Sequence, residues 1–346
     1  MRNIQILDCT LRDGGLGLED AAKNCIADIT ISQEDRKSIA NLLAESQLDI
    51  IELGSIEITS DDRKGYCIYP DIQAISAVKP SKHKKEQMFA ALYRGPDTPI
   101  DDIPRWNESL VEAVRVIIRY SELQKSLNFC AALADKGYKV FVQPMLTMRY
   151  TDEEIDLLIR ESNKMGAYAL YFVDSYGYMQ NSDVDRLFKK LDASLNKNIR
   201  IGFHSHNNMN LAMSNVLHFL DISKDRNIIV DSCINGMGQG AGNLQTELFV
   251  GYANDKLGFK YNYNSILDCC EILEEYLNST LWGYSVTRLI PALHKCAYKY
   301  AIVLRNTYHL SYREMNDILK DIPYDLKQRY TKENVEQVLR EKGYSI

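Results

Sequence analysis

The sequence lacks the features of a secreted, membrane-bound or nucleic-acid-binding protein. No apolar run is long enough to cross a bilayer, and the first residues pass into a predicted strand without an apolar leader. The formal net charge is -6, and the only dense basic run, Lys79 to Lys85, is short and typical of a solvated loop. We therefore expect a cytoplasmic protein that binds neither a membrane nor nucleic acid.

The cysteines also lack a pattern. There are 8 of them in 346 residues, with no Cys-x-x-Cys pair, in a chain far larger than a disulfide-stapled module. We expect reduced thiols, most of them buried.

Eight apolar segments alternate with helical patterns along the first 255 residues. The predicted strands are Ile4 to Thr10, Asp49 to Gly54, Gln87 to Tyr93, Glu112 to Arg119, Lys139 to Leu146, Ala167 to Asp174, Arg200 to His206 and Ile228 to Ile234. Near-continuous apolar strands separated by helices indicate parallel pairing. The count predicts a (β/α)8 TIM barrel over residues 1–255. An open doubly wound sheet is the alternative, but no Gly-x-Gly-x-x-Gly motif follows the first strand.

The remaining residues, 256–346, are predicted to form a helical C-terminal region. The pattern favours helices over Ser265 to Asn278, Ser285 to Leu304 and Lys332 to Lys342, and another that is capped by Ser311. Between the first strand and the first clear helix, Leu16 to Ile31 reads as an irregular insert, and the pair Gly14-Gly15 predicts a sharp turn.

Polar residues cluster where the predicted strands end, which is where the active sites of barrels lie. They are Arg12 and Asp13 after strand one, Glu52 on strand two, Asp174 at the end of strand six, His204 and His206 at the end of strand seven, and Asn243 in the glycine-rich loop after strand eight. Alternation along the strand places both histidines on one face. Two such imidazoles can share a divalent cation, or can be two hydrogen-bonded structural histidines.

Three of these segments resemble the signatures of a known superfamily. They are Leu7 to Gly15 (LDCTLRDGG), Gly202 to Asn208 (GFHSHNN) and Gly236 to Glu247 (GMGQGAGNLQTE). They are similar to the three motifs of the pyruvate-carboxyltransferase-like (HMG-CoA lyase-like) metallolyases, which include isopropylmalate synthase and 4-hydroxy-2-oxovalerate aldolase. The aldolase branch is the nearest likeness, also on the segments Val173 to Gly177 and Trp282 to Ser285.

The resemblance implies a metal-dependent aldolase that acts on a 4-hydroxy-2-oxo acid through a pyruvate enolate. Asp13, His204 and His206 would be the metal ligands, with Asn243 as a fourth. Mixed nitrogen and oxygen ligands suit Mn²⁺ or Mg²⁺, with Zn²⁺ or Co²⁺ as alternatives. The C-terminal helices would cover the pocket and make homo-oligomer or partner-enzyme contacts, or else form a plain packing layer.

The resemblance also implies catalytic roles. Arg12 would face the developing oxyanion. Glu52 would hold the Arg12 guanidinium, a contact that a purely structural ion pair would make as well. Asp174 would orient the substrate or a ligand.

The acid/base group departs from the aldolase pattern. The aldolases have a histidine shortly after the Arg-Asp-Gly turn, but this chain reads Gly14-Gly15-Leu16-Gly17. Tyr284 is the favoured substitute, because it lies in the Trp-Gly-Tyr-Ser segment; the further candidates are Tyr93, Tyr176 and Gln143. Two other functions stay open: an acyl-CoA-dependent Claisen synthase on the same metal site, and a non-catalytic homologue that binds metal and 2-oxo acid.

Overall fold

The centre of the molecule is a closed barrel of eight parallel strands. The structure is a computed structural model that describes residues 4–24, 28–58, 62–278 and 283–344. The strands are β1 Ile4–Asp8, β2 Ile50–Ile56, β3 Met88–Tyr93, β4 Ala113–Ile118, β5 Lys139–Pro144, β6 Ala169–Asp174, β7 Arg200–Ser205 and β8 Ile228–Ser232. Each strand pairs with the next, and β8 returns to β1. A two-residue strand, Ile68–Tyr69, pairs with the end of β2. The predicted TIM barrel is confirmed.

Helices cover the barrel and continue beyond it. Those of the barrel are α1 Gly15–Lys23, α2 Gln33–Glu45, α3 Ile72–Ser76, α4 Leu123–Asp135, α5 Asp152–Met165, α6 Asn181–Ser194, α7 Ala212–Ile222 and α8 Thr246–Lys256. They are followed by α9 Tyr263–Asn278, α10 Val286–Leu293, α11 Lys299–Asn306, α12 Tyr312–Asp321, α13 Tyr324–Lys327 and α14 Lys332–Glu341. No helix of the described ranges is long and apolar enough to span a membrane.

The barrel strands are buried on both faces, as their apolar sequences require. Phe172 on β6 and Phe203 on β7 stack with their ring centroids 4.5 Å apart, and Phe219 of α7 meets both rings edge-on. Such contacts fix the helical layer against the strands. The described cysteines are free thiols, and all of them except the half-buried Cys270 are buried; Cys25 lies outside the described residues.

Two sequence predictions about helices are wrong. The segment Ser285 to Leu304 is not one helix: α10 ends at Leu293, and Lys295 adopts a left-handed φ of 56° that stops the helix before α11 begins. The segment after Gly14 is not irregular throughout, because α1 occupies Gly15–Lys23.

The C-terminal helices form a second hydrophobic core. Most of its buried side chains come from α10, α11, α12 and α14, with Tyr300, Met315 and Leu339 among them. Helix α9 differs, because its Ile266 and Leu273 belong to the core of the barrel. The domain boundary at residue 255 stays a prediction.

Candidate active site

The chain leaves β1 through a helical turn that carries Arg12 and Asp13. This turn, Thr10–Gly14, runs directly into α1, and both side chains are buried. The predicted sharp turn at Gly14-Gly15 is wrong, since both glycines have helical φ and ψ. Glycine is needed here for space: a Cβ on Gly15 would lie 2.2 Å from the carbonyl oxygen of Tyr66.

The structure brings Asp13, His204 and His206 together. The Nε2 atoms of the two histidines are 3.2 Å apart, and Asp13 Oδ2 lies 4.0 Å from that of His204 and 3.8 Å from that of His206. All three side chains are buried. They offer two nitrogens and one carboxylate oxygen within 4.8 Å of one another, a group of atoms that could hold a metal ion.

The hydrogen bonds of the two rings indicate that both Nε2 atoms carry lone pairs. His204 Nδ1 lies 2.9 Å from Asp231 Oδ2, and His206 Nδ1 lies 3.1 Å from the carbonyl oxygen of Gln239. Each Nδ1 therefore carries a proton, and in a neutral ring Nε2 then carries none. Burial lowers the pKa of both rings below the usual histidine value, so they are neutral at pH 7. Two lone pairs that face each other repel, and a cation between them would remove the repulsion.

Asn243 completes this arrangement from the glycine-rich loop. Its Nδ2 donates hydrogen bonds to the Asp13 carboxylate and, at 2.8 Å, to the carbonyl oxygen of Met237. Its Oδ1 is buried without a hydrogen-bond partner. Such an oxygen is costly unless something binds it. The Asn243 oxygen is thus available as a further ligand.

Arg12 links the turn to β2. Its Nε donates to Glu52 Oε2 at 2.8 Å, and its Nη1 donates to Asp13 Oδ1 at 2.6 Å. Burial would raise the pKa of Asp13, but the charge of Arg12 and the hydrogen bond from Asn243 Nδ2 lower it below the usual value. Asp13 is therefore a carboxylate at neutral pH.

Three residues that the sequence analysis missed lie beneath these groups. Arg115 on β4 donates to Glu52 Oε2 at 2.6 Å and also to Asp231 on β8. Tyr171 on β6 donates to Asp231 Oδ1 at 2.9 Å. The available signal was a lone charged residue inside an apolar strand, the same signal that singled out Glu52. Arg115 in Ala-Val-Arg-Val-Ile and Asp231 in Ile-Ile-Val-Asp-Ser both carry it.

Asp174 and Tyr284 are placed differently. The Asp174 carboxylate accepts hydrogen bonds from the backbone N–H groups of Tyr178 at 3.0 Å and Met179 at 3.1 Å, and burial raises its pKa to about 7. Tyr284 is 53% exposed. Among the described residues, no hydrogen bond or ion pair joins either side chain to the Asp13, His204 and His206 cluster. Trp282 of the same segment lies outside the described residues.

The further acid/base candidates also have structural partners. Tyr176 donates to the carbonyl oxygen of Gln328 at 2.7 Å, and Tyr93 packs edge-on against Phe129. With its amide oxygen turned inward, Gln143 accepts hydrogen bonds of 3.0 and 3.2 Å from the Arg115 guanidinium.

Comparison with known proteins gives one consistent picture. The family model described as HMGL-like matches residues 3–274. A 4-hydroxy-2-oxovalerate aldolase of Pelotomaculum thermopropionicum is 28% identical over 275 residues, which are 78% of this chain and 76% of the relative. One of Shewanella halifaxensis is 29% identical over 210 residues, or 59% of this chain, and the match spans 60% of the relative's length.

A solved structure shares the fold. The carboxyl transferase domain of Rhizobium etli pyruvate carboxylase, solved with pyruvate, superposes with a TM-score of 0.70 at 14% identity. The match covers 100% of this chain and 61% of that chain. At this identity the likeness supports the fold alone.

Proposed function

Because the chain belongs to the HMGL-like family, we propose that it is a divalent-metal-dependent aldolase that cleaves a 4-hydroxy-2-oxo acid into pyruvate and an aldehyde. The observation that carries this proposal is the pair of neutral imidazoles whose unprotonated Nε2 atoms face each other, 3.2 Å apart, beside the Asp13 carboxylate. The names of the two aldolase relatives support the substrate class.

Asp13, His204 and His206 would hold the ion, with Asn243 Oδ1 as a further ligand. Two nitrogen and two oxygen donors suit Mn²⁺ or Mg²⁺, and Zn²⁺ or Co²⁺ are the alternatives. When bound, the ion polarises the ketone of a 2-oxo acid and stabilises the negative charge that develops as the neighbouring C–C bond breaks.

Arg12 would supply a second positive charge to the same oxyanion. Its guanidinium is buried and held by Glu52 and Asp13, so it needs no reorganisation during the reaction. A fixed donor of this kind contributes about 3 kcal/mol to stabilisation of the transition state. Glu52, shared with Arg115, would keep the Arg12 side chain in position. Asp174 would act only indirectly, through the loop that it holds.

Exchange of the pyruvate methyl protons with deuterium tests this proposal, because it requires enolate formation without requiring knowledge of the aldehyde. Metal-stripped protein is incubated with pyruvate in D₂O, with and without Mn²⁺ or Mg²⁺, and the methyl signal is followed by NMR. We expect exchange only when the ion is added. Asp13→Ala should abolish exchange at the same ion concentration.

A null result would be informative. If pyruvate binds the metal-loaded protein without exchange, the protein is a binding homologue rather than an aldolase. Release of free CoA from an acyl-CoA and a 2-oxo acid would instead favour the synthase function.

The cytoplasmic location and the subunit or partner contacts of the C-terminal helices stay predictions. Native mass spectrometry of the full chain tests the contacts: a monomer at micromolar concentration would contradict a homo-oligomer.

A further inference from the structure

The proposed aldolase needs a group that moves a proton, and the metal cluster contains none. Cleavage requires a base for the C4 hydroxyl of the substrate and an acid for C3 of the pyruvate enolate. Asp13, His204 and His206 would be occupied by the ion, and the pKa of Arg12 is raised well above its ordinary value, despite burial, by the charges of Glu52 and Asp13. The proton must therefore be carried by a residue outside this cluster.

A buried tyrosine from the C-terminal region reaches the barrel at this point. Tyr298 precedes α11 and is 6% exposed. Its hydroxyl donates a hydrogen bond of 2.7 Å to Asp20 Oδ2, and Lys299 Nζ lies 2.6 Å from Asp20 Oδ1. Asp20 belongs to α1, the helix that continues the turn bearing Arg12 and Asp13. This is the part of the chain in which the expected histidine is missing.

The Tyr298 ring lies against the loop that supports the metal cluster. A Cβ built on Gly240 would lie 3.4 Å from Tyr298 Cδ1. The neighbouring residue, Gln239, provides the carbonyl oxygen that accepts the His206 Nδ1 proton. Burial, together with the negative charges of Asp20 and then Asp13, raises the pKa of Tyr298. The structure thus places a buried tyrosine hydroxyl between α1 and the loop that holds His206.

On these contacts, and resting on the proposed aldolase function, we propose that Tyr298 is the catalytic proton-transfer residue and that Asp20 is its positioning residue and proton acceptor. The oxygen of Tyr298 takes the proton of the substrate C4 hydroxyl while its own proton passes to Asp20. The C3–C4 bond breaks, its electron pair remains on the pyruvate part as the enolate, and C4 leaves as the aldehyde. The proton then returns from Asp20 through Tyr298 to C3, so no external acid or base is consumed.

The test compares two buried tyrosines of one segment. Tyr298→Phe removes the hydroxyl bonded to Asp20. Tyr300→Phe removes a hydroxyl that is bonded to the carbonyl oxygens of Leu326 and Arg329 in the C-terminal core. With the Mn²⁺-loaded full chain, Tyr298→Phe should slow pyruvate deuterium exchange by about 100-fold or more, the usual contribution of a general acid or base. Tyr300→Phe should exchange at the wild-type rate. Both variants should keep the wild-type affinities for Mn²⁺ and pyruvate.

A second variant tests the proposed proton transfer from Tyr298 to Asp20. Asp20→Asn has no carboxylate that could take the proton. Exchange should then proceed only through the tyrosinate form of Tyr298, so the exchange rate should rise steadily with pH, unlike that of the wild type. The charged and titratable groups that face this pair, Lys299, Arg288, Asp13 and Tyr176, are unchanged by the substitution. A lost packing contact would lower the rate without changing the shape of the pH profile.

The outcomes separate this inference from the function on which it rests. If the wild type shows no metal-dependent exchange, both are overturned. If the wild type and Tyr298→Phe exchange deuterium equally fast, only the assignment to Tyr298 is overturned. The same conclusion follows if Tyr284→Phe loses exchange while Tyr298→Phe keeps it. Should Tyr298→Phe fail to fold, an unchanged pH profile in Asp20→Asn would overturn it instead.

Discussion

Beneath the candidate metal site, buried charges of opposite sign hold one another in place. Glu52 accepts hydrogen bonds from both Arg12 and Arg115, and Arg115 also contacts Asp231. Removing one partner from such a group leaves a buried charge unpaired, at a cost of about 3–5 kcal/mol. Asp231 in turn bonds His204 Nδ1, so the network fixes which nitrogen of His204 faces the metal position.

The role of Asp231 gives a prediction about metal affinity. Asp231→Asn keeps a hydrogen-bond acceptor but weakens the hold on the His204 tautomer, so Mn²⁺ should bind about 10- to 100-fold more weakly. Titration calorimetry on metal-stripped protein measures this. Asp8→Asn is the matched control, since Asp8 is a buried carboxylate of the neighbouring strand that bonds Thr10 and Thr246 and no histidine. Equal affinities in Asp231→Asn and wild type would contradict the prediction.

The buried Asp174 carboxyl gives a prediction about stability and pH. Burial raises its pKa from 3.8 to about 7, so the folded state binds this proton more tightly than the unfolded state does. The resulting stabilisation is present below about pH 4 and is lost as the pH rises through about 7, a change on the order of 4 kcal/mol at about 1.4 kcal/mol per pKa unit.

Urea denaturation of wild type and Asp174→Asn across this pH range isolates the effect. The amide does not titrate, so the unfolding free energy of the wild type relative to the variant should fall as the pH rises. Parallel curves of unfolding free energy against pH would mean that the hydrogen bonds from Tyr178 and Met179 offset the effect of burial on the pKa of Asp174.

Among single residues, the sequence predicted those site residues that belong to a motif and also lie at the end of a strand. Asp13, His204 and His206 are brought together as their positions at the ends of strands one and seven require. Tyr298 could not be found in this way, because its partner Asp20 lies in another part of the chain and neither residue belongs to a motif. A contact between two segments distant in sequence leaves no local pattern.

Among the elements, the glycine-rich loop after β8 passes very close to two of the proposed metal ligands, Asp13 and Asn243. Gly238 has a φ of +152°, and a Cβ there would lie 2.6 Å from Asp13 Oδ2 and 2.2 Å from Asn243 Nδ2. The loop can therefore pass this close to both side chains only because it carries no side chain at this position.

Gly238→Ala should accordingly damage the metal site rather than the fold alone. The added methyl group must displace Asp13 or Asn243, so Mn²⁺ affinity should fall at least about 10-fold, the lower end of the effect of disturbing groups around a metal. Gly258→Ala separates space from backbone strain: Gly258 also has a positive φ, +76°, but nothing lies within 4 Å of its Cβ position. The Gly258→Ala variant should lose about 1 kcal/mol of stability and keep the wild-type affinity for Mn²⁺. A similar loss of affinity in both variants would rule out a local effect.

The elements themselves were predictable to different degrees. All eight strands were found, because buried parallel strands are written as continuous apolar runs. Helix α1 was missed, since Gly15 and Gly17 are poor helix formers. Close packing accounts for the two glycines at the helix start, because a Cβ on Gly14 would lie 3.1 Å from Met237 Cε and one on Gly15 would lie 2.2 Å from the carbonyl oxygen of Tyr66. The break after α10 was missed because the left-handed Lys295 is not a residue type that signals one.

On the scale of the whole molecule, polar contacts at the barrel mouth join two hydrophobic cores. Tyr176, in the loop after β6, donates to the carbonyl oxygen of Gln328, while Tyr298 and Lys299 bind Asp20 of α1. The C-terminal helices thus do more than follow the barrel. They place Tyr298, which precedes α11, beside the glycine-rich loop of the candidate metal cluster. The helical pattern of residues 256–346 does not contain this relation between distant segments.

Metal binding should therefore stabilise the protein as a whole. An ion that binds only the folded state adds about 2.7 kcal/mol to the unfolding free energy at 100 times its Kd. Thermal unfolding of metal-stripped protein, followed by calorimetry with increasing Mn²⁺, should show a rising Tm, whereas Asp13→Ala should show none over the same range. If the Tm values of wild type and variant rise together, the ion is binding at other carboxylates.

The polar contacts between the two cores should make the C-terminal helices melt in the same metal-dependent transition as the barrel. A separate transition that Mn²⁺ does not move would show that the two cores unfold independently.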